Sequence, residues 1–253
     1  MARFNTRLSL RTTEVDRQLL ATPVALLGMF QEAAVRQAEQ LGRGPRWLHR
    51  QGLGWAIAHT RARFLGAPGW PGEVLVTTWA SQMNRFLSRR EFLIEDPAGQ
   101  LLVAGSSLWA FMDMHRRKMI GIPQRVRAAY RVDPARALET VFTRPRSPSA
   151  RQPVTRRVVG ERHIDFNGHA NNLDMLGWML EQLPAEAGRR RLREVNIRYQ
   201  QEILCDQEIA IRSEPAGNER PSLLWRHGIY RGGEQTPLAL AETSWQPAPA
   251  GET

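Results

Sequence analysis

At 253 residues, 42% hydrophobic and 24% charged, the chain suits one large globular domain or two ordinary ones, with enough apolar residues to bury a core. It has no run of about 18 apolar residues that would suggest a transmembrane helix, and its single cysteine, Cys205, excludes an intrachain disulfide and a multi-cysteine metal site. The net charge of +10 favours an acidic partner, although Lys118 is the only lysine among 35 basic residues, so the excess is one of arginine and can reflect genome composition.

The N-terminal run MARFNTRLSLRTTEVD alternates as a strand does and lacks the apolar core of a secretory signal, so it reads as structure. With one lone thiol, the expected compartment is the cytoplasm. The first strong helical period is TPVALLGMFQEAAVRQAEQLG, residues 22–42. Thr22 suits the cap and Pro23 the first turn, Leu26, Phe30, Ala33 and Leu41 lie near one face, and Gly42 is a natural stop. The runs GWAIAHTRARF, EVLVTTWAS, SRREFLIED and GQLLVAGSSLWAFMD then read as strands. The Pro/Arg/Ser-rich segment 131–153 lacks periodicity and is the predicted linker between domains at 1–130 and 154–253.

The second half opens with HIDFNGHANN, residues 163–172, and continues into NLDMLGWMLEQLP, residues 172–184. There Leu173, Leu176, Leu180 and Leu183 recur at three- and four-residue steps and Pro184 ends the run. LREVNIRYQQE, EIAIRSE, SLLWRHGIYRG and LALAETSWQ read as strands, and the tail from Gln246 as frayed. The two halves repeat one another. Residues 14–32 overlie residues 163–181 at an offset of 149, matching Asp16 with Asp165, Leu27 with Leu176, Gly28 with Gly177 and Glu32 with Glu181. Beyond the helices the offset becomes 135, matching Arg63-Phe64 with Arg198-Tyr199 and Glu73 with Glu208. Each half thus predicts a strand, a long helix and an antiparallel sheet: an α+β fold of two related helix-on-sheet units, with the sheets joined edge to edge so that fewer strand edges are exposed.

The stretch at 163–172 concentrates polar side chains at the mouth of a helix. Asp165, Asn167 and His169 alternate, so an extended approach would set them on one face. A helix starting near Asn171 or Asn172 would direct its free N–H groups at that face and favour negative charge there. Polar residues before a helix are ordinarily caps and turns, and that account suits Asn171 and Asn172 taken alone. The first half carries Asp16, Gln18 and Leu20 at the three equivalent positions, so base chemistry is expected in the second half only.

DFNGHANNLDMLGWMLEQLP, preceded in order by WAIAHTRARFLGAPGWPGEVLVTTW, SRREFLI and SSLWAFMDMHRRKMIGIP, resembles the acyl-carrier-protein thioesterase family from about Phe4 to Trp245. The resemblance implies a tandem, or double, hot-dog fold of two long helices, each wrapped by an antiparallel sheet. It also implies an enzyme that hydrolyses the thioester between an acyl chain and the phosphopantetheine arm of acyl carrier protein, releasing a free fatty acid without a cofactor. That reaction needs an activated water and a stabilised oxyanion. Asn167 would then donate to the thioester oxygen, Asp165 would orient His169 and fix its tautomer, and the Gly168 or His169 amide, beside the helix start at Asn171, would hold the oxyanion. The family also places a carboxylate on a later strand in a Tyr-x-x-Glu context, here Tyr199-Gln-Gln-Glu202. Glu202 or His169 would be the base, and the sequence leaves both open. Plant members often carry cysteine after that glutamate; Ile203 stands there in this chain, which implies attack by water, and Cys205 reads as an ordinary thiol. Leu26 and Phe30 would line an acyl tunnel lent by the first half.

Two other readings stand beside this one: an acyl-coenzyme A thioesterase of the same fold, and a non-catalytic acyl-binding hot-dog protein. A nucleic-acid binder is disfavoured because no recognition motif accompanies the arginines. Arg89-Arg90, Arg116-Arg117-Lys118 and Arg189-Arg190-Arg191 are either solvated faces or docking sites for the acidic carrier protein. The histidines outside the 163–172 stretch lack ligand spacing, and no metal is expected. Membrane insertion is not expected, and both a monomer and a homodimer fit the pattern.

Overall fold

The computed structural model describes residues 2–184, 190–217 and 223–247; Arg189 of the third basic run and the tail past Pro247 lie outside them. The chain divides into two compact units, residues 1–140 and 141–253.

In the first unit, β1 (Phe4–Ser9) alternates half-buried and exposed side chains, as its sequence pattern predicts. A 3₁₀ turn at Thr12–Glu14 leads to α1 (Pro23–Gln40). Thr22 Oγ1 accepts the Ala25 N–H at 3.2 Å and Pro23 opens the first turn, so both sequence signals act as expected. Gly42 ends the helix at φ +65°, where Arg43 N–H reaches the Ala38 carbonyl at 2.8 Å. The helix lies on an antiparallel sheet ordered β1-β3-β4-β5-β2, built from β2 (Leu53–Phe64), β3 (Glu73–Met83), β4 (Leu87–Glu95) and β5 (Leu101–Asp113), with the short β6 (Lys118–Met119) paired to β5. Phe30 of α1 stacks on Phe92 of β4 with ring centroids 4.4 Å apart. It also presses on Gly105 of β5, where an added Cβ would come within 2.2 Å of the Phe30 ring. Two one-turn helices, α2 (Pro45–His49) and α3 (Gln124–Arg127), bring Leu48 and Val126 into a cluster with Ala80, Phe111, Ile122 and Tyr130. Neither is long enough to show a helical period in the sequence.

The second unit follows the same plan. β7 (Thr155–Val158) and a 3₁₀ turn at Glu161–His163 precede α4 (Asn172–Leu180). β8 (Arg190–Tyr199), β9 (Glu208–Gly217), β10 (Leu223–Arg231) and β11 (Pro237–Pro247) form an antiparallel sheet ordered β8-β11-β10-β9-β7. Ile209, Ile211 and Ile229 of the sheet and Met175, Leu176, Trp178 and Met179 of α4 are all buried. The two helices differ in length: α4 has 9 residues against 18 in α1. Pro184 has no N–H to give the Leu180 carbonyl and disfavours helical backbone at Leu183, so the chain leaves the helix in tight turns instead. Each unit is a helix wrapped by an antiparallel sheet, the hot-dog arrangement.

Residues 131–153, expected as a linker, contain no helix or strand, yet they are tied down. On the first sheet, Glu91 is fully buried; it receives Arg89 Nε at 2.8 Å and the Ala137 N–H at 3.2 Å, and Arg136 bonds both to it and to Ser81. Trp79 Nε1 donates to the Ala135 carbonyl at 2.9 Å. On the second sheet, Ser149 N–H donates to Glu214 and Arg146 N–H to Glu242, while Arg226 lies between the two carboxylates at 3.6 and 3.8 Å. Strand alternation puts Glu91 on the face opposite Phe92, and Arg226 on the face opposite Ile229. The segment thus covers the side of each sheet turned away from the apolar core.

Candidate active site

Residues 164–170 form a closed turn. Ile164 and Ala170 pair as an isolated antiparallel bridge. Within it, Asp165 N–H donates to the His169 carbonyl at 3.0 Å and Gly168 N–H to the Asp165 carbonyl at 2.9 Å. Aspartate at the first turn position and glycine at the fourth are what this turn requires, and Gly168 takes the left-handed φ of +77°. The expected extended approach is therefore corrected: Asp165, Asn167 and His169 converge because the chain folds back on itself, not because alternate residues of a strand share a face.

The Asp165 carboxylate organises this turn. Its Oδ1 accepts the Asn167 N–H at 2.7 Å and its Oδ2 accepts Asn167 Nδ2 at 3.3 Å, which aims the Asn167 amide and leaves its second hydrogen for another acceptor. His169 Nδ1 lies 3.9 Å from Asp165 Oδ1, beyond hydrogen-bond reach, and 3.3 Å from the Ala170 carbonyl. That carbonyl can accept only from an Nδ1–H tautomer, which puts the lone pair on Nε2. Of the two amides the sequence nominates for an oxyanion, Gly168 N–H is committed to the turn; that of His169 takes no part in the turn's bonds among the described residues. Asn171 caps α4, its Oδ1 accepting the Leu173 N–H at 2.9 Å, so it builds the helix tip.

Glu202 is not on a strand. β8 ends at Tyr199, and Glu202 sits half-buried in the loop before β9. The loop nevertheless reaches the turn, since Ala170 N–H donates to the Ile203 carbonyl at 2.7 Å, which sets Glu202 one residue from the turn's own backbone. Cys205 also lies in this loop, not on a strand beside Ile203. A hydrogen bond to Glu161, with burial next, pushes its thiol up to about 11, so it stays protonated and poorly nucleophilic at neutral pH. Tyr199 is a feature that the sequence pattern only brushed: its hydroxyl donates to the Asn172 carbonyl at 3.2 Å, tying β8 to the first residue of α4, and burial pushes its phenol well above its usual range. Leu26 and Phe30, 1% and 2% exposed, lie in the first unit between α1 and the sheet.

The first unit contains the same turn without the chemistry. Val15 and Ala21 form its bridge, Asp16 N–H donates to the Leu20 carbonyl at 2.8 Å, and Asp16 Oδ1 accepts the Gln18 N–H at 2.9 Å. Leu19 takes the positive φ, at 60°, where Gly168 does in the second. Ala21 N–H donates to the Pro68 carbonyl as Ala170 does to that of Ile203, which makes Ala67 the counterpart of Glu202. The four positions thus read Asp16, Gln18, Leu20 and Ala67 in one unit and Asp165, Asn167, His169 and Glu202 in the other. Among the described residues, no three His, Cys, Asp or Glu side chains are grouped to hold a metal ion, and no helix is long and apolar enough to cross a membrane.

Two hot-dog units in tandem, one with an Asp-Asn-His turn at its helix tip and the other with a blank copy, define the class of protein. Residues 2–130 match the acyl-ACP thioesterase N-terminal domain and residues 149–247 the acyl-ACP thioesterase C-terminal domain, and the chain belongs to this family of thiolester hydrolases. It is 27% identical over 265 residues to the chloroplastic acyl-(acyl-carrier-protein) hydrolase FATB3 of Cuphea viscosissima, covering 99% of this chain and 64% of that protein. It is 25% identical over 231 residues to the chloroplastic oleoyl-acyl carrier protein thioesterase 2 of Arabidopsis thaliana, covering 83% of this chain and 62% of that one. The chain thus spans rather under two thirds of the length of these curated relatives. Its fold is similar to that of the 12:0-ACP thioesterase from Umbellularia californica, with a TM-score of 0.87 over 98% of this chain and 95% of that one at 22% identity. An acyl-ACP thioesterase from Bacteroides thetaiotaomicron gives a TM-score of 0.85 over 97% and 98% at 19% identity.

Proposed function

We propose that this protein is an acyl-acyl-carrier-protein thioesterase: it hydrolyses the thioester on the phosphopantetheine arm of acyl carrier protein and releases a free fatty acid. The observation that carries the proposal is the confinement of Asn167, His169 and Glu202 to one of two units whose turns otherwise match and share their aspartate, in a chain of this family. In this reading the thioester oxygen accepts from the second hydrogen of Asn167 Nδ2 and from the His169 N–H. Water attacks the carbonyl carbon while His169 Nε2 takes its proton, and the negative charge that develops on oxygen lies at the tip of α4. Collapse of the tetrahedral intermediate breaks the carbon–sulfur bond. The leaving thiolate takes the proton back, giving the acid and the free pantetheine thiol. Glu202 holds the water against His169, and no cofactor enters. Leu26 and Phe30 belong in this reading to the wall that holds the acyl chain. The single cysteine and the +10 charge suit a cytoplasmic enzyme with an acidic protein substrate.

The test is turnover of one acyl group on both carriers. A kcat/KM at least ~10-fold higher on the carrier protein than on coenzyme A is expected, since protein docking adds binding that the small carrier lacks. The reverse ratio would favour the acyl-coenzyme A reading, and tight acyl binding without release of thiol would favour the binding protein.

A further inference from the structure

His163 ends the 3₁₀ turn that feeds the candidate site, and its carbonyl accepts the Asn171 N–H at 2.9 Å. Its side chain is 12% exposed and is placed by three groups. Arg162 Nε donates to His163 Nε2 at 3.2 Å, His163 Nδ1 faces Asp174 Oδ2 at 3.4 Å, and the ring meets Trp178 edge-on with centroids 5.1 Å apart. An acceptor role at Nε2 places the ring hydrogen on Nδ1, directed at the carboxylate. The chain Arg162–His163–Asp174 therefore carries positive polarity from a guanidinium through an imidazole to an acid.

Asp174 lies in the first turn of α4. A carboxylate there is ordinarily welcome, because it complements the positive end of the helix. At this helix it is a liability, since the oxyanion of the proposed reaction develops at the same end and a second negative charge would repel it. The first unit, without the chemistry, has Glu14, Ala25 and Met29 at the positions of His163, Asp174 and Trp178, so neither the acid nor its shield is repeated there.

We propose that His163, backed by Arg162, is a positioning residue that turns the Asp174 charge away from the reaction and leaves the helix tip free to stabilise the oxyanion. This rests on the hydrolase reading above. The experiment compares the full-length chain with His163→Phe, Asp174→Asn and the double variant on the carrier-bound thioester. Phenylalanine keeps a ring against Trp178 and removes the N–H. His163→Phe should lower kcat about 10-fold or more with KM within about twofold, because the lost term acts on charge that exists only in the transition state. Asp174→Asn should stay within about twofold of the wild type, and adding it to His163→Phe should restore most of the lost kcat. A double variant as slow as His163→Phe, or a His163→Phe as fast as the wild type, would overturn the proposal; a purely structural role for the ring predicts no rescue. Nitrogen-15 NMR of histidine-labelled protein reads the geometry independently of turnover, and a hydrogen on Nε2 of His163 would overturn it too. A wild type that shows the Nδ1–H signature but hydrolyses neither thioester would overturn the hydrolase reading and, with it, the shielding role, leaving the three-residue chain as a structural contact alone.

Discussion

Asp165 spends its carboxylate on the Asn167 backbone and side chain, so its first effect is on the shape of the turn, and His169 is left with the Ala170 carbonyl. This separates the residues by how their loss should read out. His169→Ala removes the proposed base and should lower kcat by about 10²- to 10⁴-fold with KM little changed, measured by thiol release under saturating substrate. Glu202→Gln keeps size and hydrogen bonding but not charge. A loss smaller than that of His169→Ala is expected if Glu202 only holds the water, and an equal or larger loss would move the base to Glu202. Asp165, Asn167 and His169 stood out in the sequence as polar residues packed before a helix, with Gln18 and Leu20 as the contrast in the first half, whereas Glu202 was nominated by the family resemblance alone. Their geometry was not legible there: alternation suggested a strand, whereas the chain folds back on itself with Gly168 at a positive φ in the fourth turn position. Tyr199 and the His163–Asp174 contact depend on side chains meeting across 27 and 11 positions of chain, which no local period encodes.

At the scale of elements, the long helix and the eight long strands followed from periodicity and cap residues, and their bounds differ from expectation by a few residues. The exceptions share a cause. α2, α3 and β6 are too short for a period to register, and α4 ends early because a proline outranks a leucine stripe. In α1, Phe30 fills the space over Gly105 and Phe92. Phe30→Ala should open room there, shift product preference toward longer chains, and cost about 3–5 kcal/mol of stability in urea titrations; an unchanged product profile would remove Phe30 from the acyl-binding wall. In the second sheet, His227 of β10 is fully buried, with Nδ1 on Ser213 Oγ at 2.8 Å and Nε2 on Thr243 Oγ1 at 3.0 Å. Burial pushes its imidazole down to about 3. The folded state thus refuses a proton that the unfolded chain accepts near pH 6.5, so stability is full above that pH and falls as pH drops toward 3. Unfolding measured at pH 6.5 and pH 5 should differ by about 2 kcal/mol through this residue alone, and His227→Gln should flatten that part of the slope.

At the scale of the whole molecule, the charge of +10 is a property of arginine. Many of these arginines are engaged inside their own unit: Arg89 and Arg136 with Glu91, Arg226 with Glu214 and Glu242, and Arg90 buried against Gln37 at 2.5 Å. The basic field available to a partner is therefore smaller than the formal charge, and Arg89-Arg90, expected as a surface run, is an interior pair. If the remaining field steers the carrier protein, raising the salt from about 50 to about 300 mM should reduce kcat/KM on acyl carrier protein several-fold more than on a short thioester analogue. Equal salt dependence would remove electrostatic docking from the account.

The turn at Asp16–Ala21 keeps every backbone bond of its working twin and even tolerates a leucine at φ 60° to do so. Two identical chains in a symmetric pair could never have diverged this way, since a leucine accepted at the His169 position of one copy, as at Leu20 here, would erase the histidine in the other. Joining both copies in a single gene lifts that constraint: one loop is held to its reactive residues while its sibling drifts freely, retaining the shape and shedding the reagents.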